Sequence, residues 1–160
     1  MNPSIFDGTH MCKVYALYKC ANTLYRKGVP VLPRMIYYLM RFLFTTSVPH
    51  TVKIGRNTRF NNWGMGTVVH RRATIGENCM IAHGVTIGGR SDYYEVPVIG
   101  NNVVVGAGAK ILGPVKVGDY AIIGANAVVI DDVPPHAVVA GVPARLLHYK
   151  SAETETVLGY

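Results

Sequence analysis

The chain has 160 residues, room for one core and a small appendage but not for a second full domain. Its composition, 49% apolar and 16% charged with 17 glycines and 9 prolines, describes a folded, turn-rich body and excludes a disordered one. A formal charge of +7 suits nucleic acid, an anionic membrane face or a phosphate-bearing cofactor without choosing among them; the lack of a long Lys-Arg run or of interleaved basic and aromatic residues speaks against nucleic acid, and a solvated basic surface is the first expectation.

From the N-terminus, residues 1–48 are expected to form an α-helical cap. Within it Val14, Leu17, Tyr18, Ala21 and Leu24 recur at helical spacing, in a run starting near Met11, until the breaker Lys27-Gly28-Val29-Pro30. A second helix carries Met35, Ile36, Leu39, Met40, Leu43 and Phe44 after Pro33, which sits where a missing amide proton costs little. Arg34 and Arg41 flank this stripe. At about a dozen residues the helix is too short to span a bilayer, so the stripe is expected to pack on the rest of the protein in preference to peripheral membrane contact. No basic stretch leads into an apolar run near the N-terminus, and Cys12, Cys20 and Cys79 form neither an even set nor a CxxC pair. A reducing, cytoplasmic setting follows as the expectation.

Beyond Thr51 the period changes. Aliphatic residues fall at every sixth position at Val69, Ile75, Ile81 and Ile87, and, after a gap of two periods, at Ile99, Val105, Ile111, Val117, Ile123 and Val129. Glycine follows many of them, and short residues such as Ala73, Cys79, Ala109, Ala121 and Ala127 stand two positions before. Six matches neither the helical period of 3.6 nor the strand period of 2. Three short strands per turn of a triangular coil satisfy it, each aliphatic residue pointing inward and each glycine easing a corner.

The stretch 53–147 resembles the hexapeptide-repeat acyltransferases, and specifically the serine acetyltransferase branch with its polysaccharide O-acetyltransferase relatives. The resemblance rests on Gly84-Val85-Thr86-Ile87-Gly88-Gly89, on Val105-Gly106-Ala107-Gly108-Ala109-Lys110-Ile111-Leu112-Gly113 and on Ala140-Gly141-Val142-Pro143-Ala144-Arg145. It implies an all-β body, a left-handed parallel β-helix over 49–147, followed by a tail at 148–160. It further implies a homotrimer with active sites between subunits and acetyl-CoA as co-substrate, with no metal. In the family the coenzyme lies along a groove beside the coils, which here brings in Gly89, Ala107 and Ala125, with Arg145 for the nucleotide phosphates. Small residues there let a pantetheine arm reach the backbone, and a guanidinium suits phosphate geometry.

The sequence departs from serine acetyltransferases in three places. Asn61-Asn62-Trp63 stands where the family carries an Asp-His pair, and the loop Arg90-Ser91-Asp92-Tyr93-Tyr94-Glu95-Val96-Pro97 lacks the family's Arg-His-Pro segment. The large N-terminal helical domain is reduced to a short cap. These departures favour a sugar hydroxyl in surface-polysaccharide synthesis over the hydroxyl of L-serine. Two histidines remain in the repeats. His83 is expected above the corner of residues 63–66, and His70 at another corner, beneath the turn of residues 88–90. Direct transfer needs a base for the acceptor hydroxyl, and histidine titrates in the useful range, so His70 and His83 are both candidates, unranked. Trp63, Asp92 and Glu95 are candidates for holding the acceptor. The rival readings are a zinc-dependent carbonic anhydrase on the same coil, which needs three histidine ligands, and a non-catalytic trimeric scaffold, which needs no base.

Overall fold

The computed structural model describes residues 13–150. Two helices, α1 (Lys13–Arg26) and α2 (Leu32–Phe44), precede a coil of short strands arranged as three faces of a prism. One face stacks β1 (Lys53–Ile54), β4 (Thr74–Ile75), β7 (Val98–Ile99) and β10 (Lys116–Val117). The next stacks β2 (Arg59–Phe60), β5 (Met80–Ile81), β8 (Val104–Val105) and β11 (Ile122–Ile123), and ends with β13 (Ala137–Ala140) and β14 (Arg145–Tyr149). The last stacks β3 (Val68–Val69), β6 (Thr86–Gly88), β9 (Lys110–Leu112) and β12 (Val128–Val129). Consecutive strands lie on different faces, and hydrogen bonds join strands one coil apart, in parallel, throughout the coil. The architecture is the triangular parallel coil that the repeat period predicts, left-handed as the family resemblance implies.

The interior is the six-residue repeat made visible. All ten aliphatic residues of the register, from Val69 to Val129, are 3% exposed or less, and the short residues two positions before them are buried as well. A prism this narrow has room for one branched side chain per strand, so the residue entering each corner must be small. The glycines after the aliphatic residues have a different role from that expected. A Cβ at Gly76 would lie 2.3 Å from the Gly100 carbonyl oxygen, and one at Gly106 would lie 2.5 Å from the Ala125 nitrogen. They are small because the next coil passes over them, not because the corner needs an unusual φ.

Two insertions break the regular stacking. Met80 pairs with Arg59 but then with Val104, and Thr74 pairs with Lys53 but then with Val98. The first insertion is a 3-10 turn at Asn61–Gly64, the second the exposed loop of residues 90–96. The residues proposed for acceptor binding sit in these two irregularities.

Both ends of the coil are covered, which keeps its edges from pairing with other chains. At the C-terminal end β14 folds back antiparallel on β13. At the N-terminal end α1 buries Val14, Tyr15 and Tyr18 in one cluster with Val48, Val52 and Phe60. The Tyr18 hydroxyl donates to the Val52 carbonyl at 2.6 Å and accepts from the Ile54 amide at 3.2 Å, and the Tyr15 hydroxyl donates to the Gly55 carbonyl at 3.0 Å. Ser47 bridges Val68 at the start of the coil, and the covering strand β14 runs to Tyr149. Met11, Cys12 and residues 151–160 of the tail lie outside the described residues. One expectation needs correction: of the α2 stripe only Met40 is buried, with Ile36 and Phe44 half-buried, while Met35, Leu39 and Leu43 are exposed. The helix packs on α1 through a narrow edge, and most of its apolar surface faces outward.

Candidate active site

The corner between the β2 and β3 faces is built on the 3-10 turn. Asn62 and Trp63 both take left-handed backbone there, with φ of 49° and 57°. Asparagine tolerates this region because its short amide can bond locally, whereas tryptophan is strained in it. Each following coil adds a small turn in the same column. The Gly84 amide donates to the Met65 carbonyl at 2.8 Å, Gly108 to His83 at 2.9 Å, and Asn126 to Ala107 at 2.8 Å. Met65, His83, Ala107 and Ala125 therefore stack on one corner, as the register predicts for His83.

His83 is exposed, and its Nδ1 lies 3.1 Å from the side-chain nitrogen of Asn62. An Asn amide turns over at little cost. With its oxygen toward the ring it accepts from Nδ1–H, and the free lone pair of the neutral ring is then on Nε2. Lys110 fixes the turn after His83 by donating from Nζ to the Gly84 carbonyl at 2.7 Å. Ala107 is half-exposed and Ala125 exposed, so the backbone beside the imidazole is open to a thin, amide-bearing arm.

His70 occupies the next corner, its amide donating to the Ile87 carbonyl at 2.7 Å. Its Nδ1 accepts from the Arg72 backbone amide at 3.2 Å. A backbone N–H only donates, so the neutral ring carries its proton on Nε2. Burial lowers its pKa from the ordinary value, and the nearby Arg72 and Arg71 lower it further. His70 is thus held neutral, as a donor. Gly89, in the turn above, is exposed. Arg145, on β14, is paired at 3.5 Å with Asp131 and remains largely exposed.

In the loop of residues 90–96 the Arg72 guanidinium lies 3.8 Å from the Tyr94 ring centroid and donates to the Tyr94 carbonyl, while Arg90 is 5.9 Å from the Tyr93 ring. Glu95 lines an open depression of about 330 Å³ with Arg72, Tyr94 and Lys116. Asp92 is exposed in left-handed backbone, with φ of 75°. Trp63 stands against the cap, edge-on to Phe44 at 5.3 Å and 4.9 Å from the Lys13 ammonium, and is still half-exposed.

A single chain does not gather all these groups. His83, Ala107, Ala125 and Trp63 share one corner; His70, Gly89 and the loop residues belong to another. Two residues escaped the sequence reading. Asn62 pairs with His83, and Arg72 fixes both the His70 tautomer and the loop. Asn62 had a usable signal, since the register that sets His83 above Met65 also sets it against the Asn61-Asn62 turn. The Arg72 contact with Tyr94 had none, because that partner lies in an irregular loop. Among the described residues, no group of three His, Cys, Asp or Glu side chains of one chain could hold a metal ion.

The family described as bacterial transferase hexapeptide (six repeats) matches residues 97–131. The serine acetyltransferase of Helicobacter pylori (strain J99) is 38% identical over 145 residues, covering 89% of this chain and 82% of that protein. The serine acetyltransferase of Synechococcus elongatus is 38% identical over 133 residues, covering 82% of this chain but 54% of that protein. The chain thus spans about half the length of several curated relatives it matches. Among solved structures, a serine acetyltransferase from Brucella abortus strain S19 in complex with coenzyme A superposes with a TM-score of 0.77 at 34% identity, over 86% of this chain and 55% of that one.

Proposed function

This chain belongs to the serine acetyltransferase family of hexapeptide-repeat transferases, and on that footing we propose that it moves an acetyl group from acetyl-CoA to a hydroxyl acceptor. The observation that carries the reading is the Asn62–His83 pair, a polar side chain orienting an exposed imidazole at a corner of small residues. It occupies the corner where the branch's Asp-His pair belongs, rebuilt from two successive coils.

Acetyl-CoA supplies an activated thioester; the chain's groups do the rest. His83 takes the acceptor proton through Nε2 as the hydroxyl oxygen attacks the carbonyl carbon, with Asn62 holding the ring by Nδ1–H. His70 offers Nε2–H, and the backbone near Gly88 and Gly89 offers N–H groups, to the oxyanion that forms as the C–O bond is made. Imidazolium at His83 then returns the proton to the departing thiolate sulfur as the C–S bond breaks. Ala107 and Ala125 flank the pantetheine arm, and Arg145 meets the nucleotide phosphates. Since His83 and His70 stand on different corners of one chain, the reading places the site between two copies of a homotrimer.

L-serine is the acceptor put first, in place of the sugar that the sequence departures favoured. The relatives' names support it, and the loop of residues 90–96 carries both signs of charge that a zwitterion needs, Arg90 beside Asp92 and Glu95. The sugar reading keeps two specific supports: an asparagine, not an acid-histidine pair, faces the base, and exposed Tyr93 and Tyr94 suit a pyranose face.

Thiol release from acetyl-CoA, with L-serine and with a panel of sugars and nucleotide sugars, tests both readings. Release with serine that vanishes in His83→Ala supports the first. Release only with a sugar moves the acceptor to the second, and no release with any acceptor from a folded protein favours the non-catalytic scaffold.

A further inference from the structure

The outward face of α2 is a feature that the catalytic reading leaves unused. Leu32, Met35, Tyr38, Leu39, Phe42 and Leu43 are all exposed, Phe42 at 85%. At 100° per residue these six cover a continuous arc opposite buried Pro33 and Met40, and Arg34 and Arg41 lie together on one border of that arc. Lone exposed apolar residues need no account, but a contiguous set along an entire helix marks an interaction surface.

Charge decides what covers it. From Lys13 to Val52 the sequence contains Lys13, Lys19, Arg26, Lys27, Arg34 and Arg41 and no Asp or Glu. All six cations are exposed. A second copy of the same face would bring the bordering Arg34 and Arg41 of both copies together with no carboxylate between Lys13 and Val52 to pair them, which disfavours self-pairing. An anionic surface with an apolar interior satisfies both the arc and the cations. The helix has 13 residues, and no helix among the described residues is long and apolar enough to cross a membrane. It suits a place in the plane of the interface, its apolar arc among the acyl chains and its arginines reaching the headgroups.

We propose that α2 docks this protein on the surface of an anionic lipid bilayer. The inference does not depend on which acceptor the enzyme uses, or on whether it is an enzyme.

The test is flotation of the full chain with vesicles of phosphatidylcholine and with vesicles in which a quarter of the lipid is phosphatidylglycerol. The expected result is binding to the anionic vesicles, weakened by added salt and reduced about tenfold or more by Phe42→Glu. Since Phe42 supports no packing, the variant keeps its fold, which far-UV circular dichroism verifies. A second variant, Arg34→Ala with Arg41→Ala, lowers binding to the anionic vesicles only. Failure to bind anionic vesicles at low salt overturns the proposal, as does binding that Phe42→Glu leaves unchanged. So does a lipid-free assembly that sedimentation shows to halve in mass on Phe42→Glu, since the face would then join copies of the chain, and a soluble protein partner that competes the chain off the vesicles through this face would reassign it likewise.

Discussion

Asn62 and His83 lie 21 residues apart in sequence, yet their side-chain nitrogens are 3.1 Å apart, because one coil of the β-helix lifts His83 directly over the irregular turn that holds Asn62. The pair has the form of a histidine base with an orienting partner. In thiol-release kinetics, His83→Ala is expected to lower kcat by about two to four orders of magnitude, the range for loss of a general base. Asn62→Asp is expected to retain activity and move the acidic limb of the pH profile upward, since a carboxylate stabilises the imidazolium. An unchanged limb would mean that Asn62 does not face the catalytic ring. Asn62→Gly, which fits the left-handed backbone, separates loss of the amide from backbone strain.

His70 is expected to resonate in nitrogen-15 spectra as the Nε2–H tautomer, because the Arg72 amide occupies Nδ1. Its lowered pKa carries a sign for stability as well. The unfolded chain binds a proton on this ring more readily than the folded one, so stability contributed by the neutral ring is present above the ordinary histidine pKa and declines as pH falls below it. His70→Gln should flatten part of the fall in Tm between neutral and acidic pH. His50, lowered by burial and by Arg34, accounts for a remaining part.

Glycines with different surroundings give a sharp contrast. A Cβ at Gly76 would meet the Gly100 carbonyl at 2.3 Å, whereas one at Gly89 would lie 3.8 Å from Val96, an ordinary contact. Gly76→Ala should destabilise the coil by about 3 kcal/mol or more in denaturant melts. Gly89→Ala should leave the melt unchanged and raise KM for acetyl-CoA. A normal KM would remove Gly89 from the coenzyme groove.

Tyr18 ties the cap to the coil with two backbone hydrogen bonds, and burial pushes its pKa up to about 12. Tyr18→Phe leaves the Val52 carbonyl and the Ile54 amide without that partner, at a cost of about 1–3 kcal/mol. The neutral phenol's contribution is complete below the unfolded pKa near 10 and is lost as pH rises through the folded value of about 12. Alkaline melts should therefore separate the wild type from the variant below pH 10 and bring them together above 12.

What the amino-acid sequence determined by itself was whatever repeats. A six-residue period leaves one inward position per strand, and ten aliphatic residues in one register, with small residues before them, are compatible with one narrow triangular coil; the column holding His83, Ala107 and Ala125 follows from counting along it. Tertiary structure alone decided whatever interrupts the period. The partner of His83 lies in the Asn61–Gly64 turn, whose left-handed residues no periodicity describes, and the His70 tautomer depends on a backbone amide at Arg72. The outward turn of α2 was hidden for a related reason. An apolar stripe at helical spacing reads the same whether it faces a core or solvent, and only the position of α1, with room for little more than Met40 and its neighbours, leaves Phe42 and Leu39 outside.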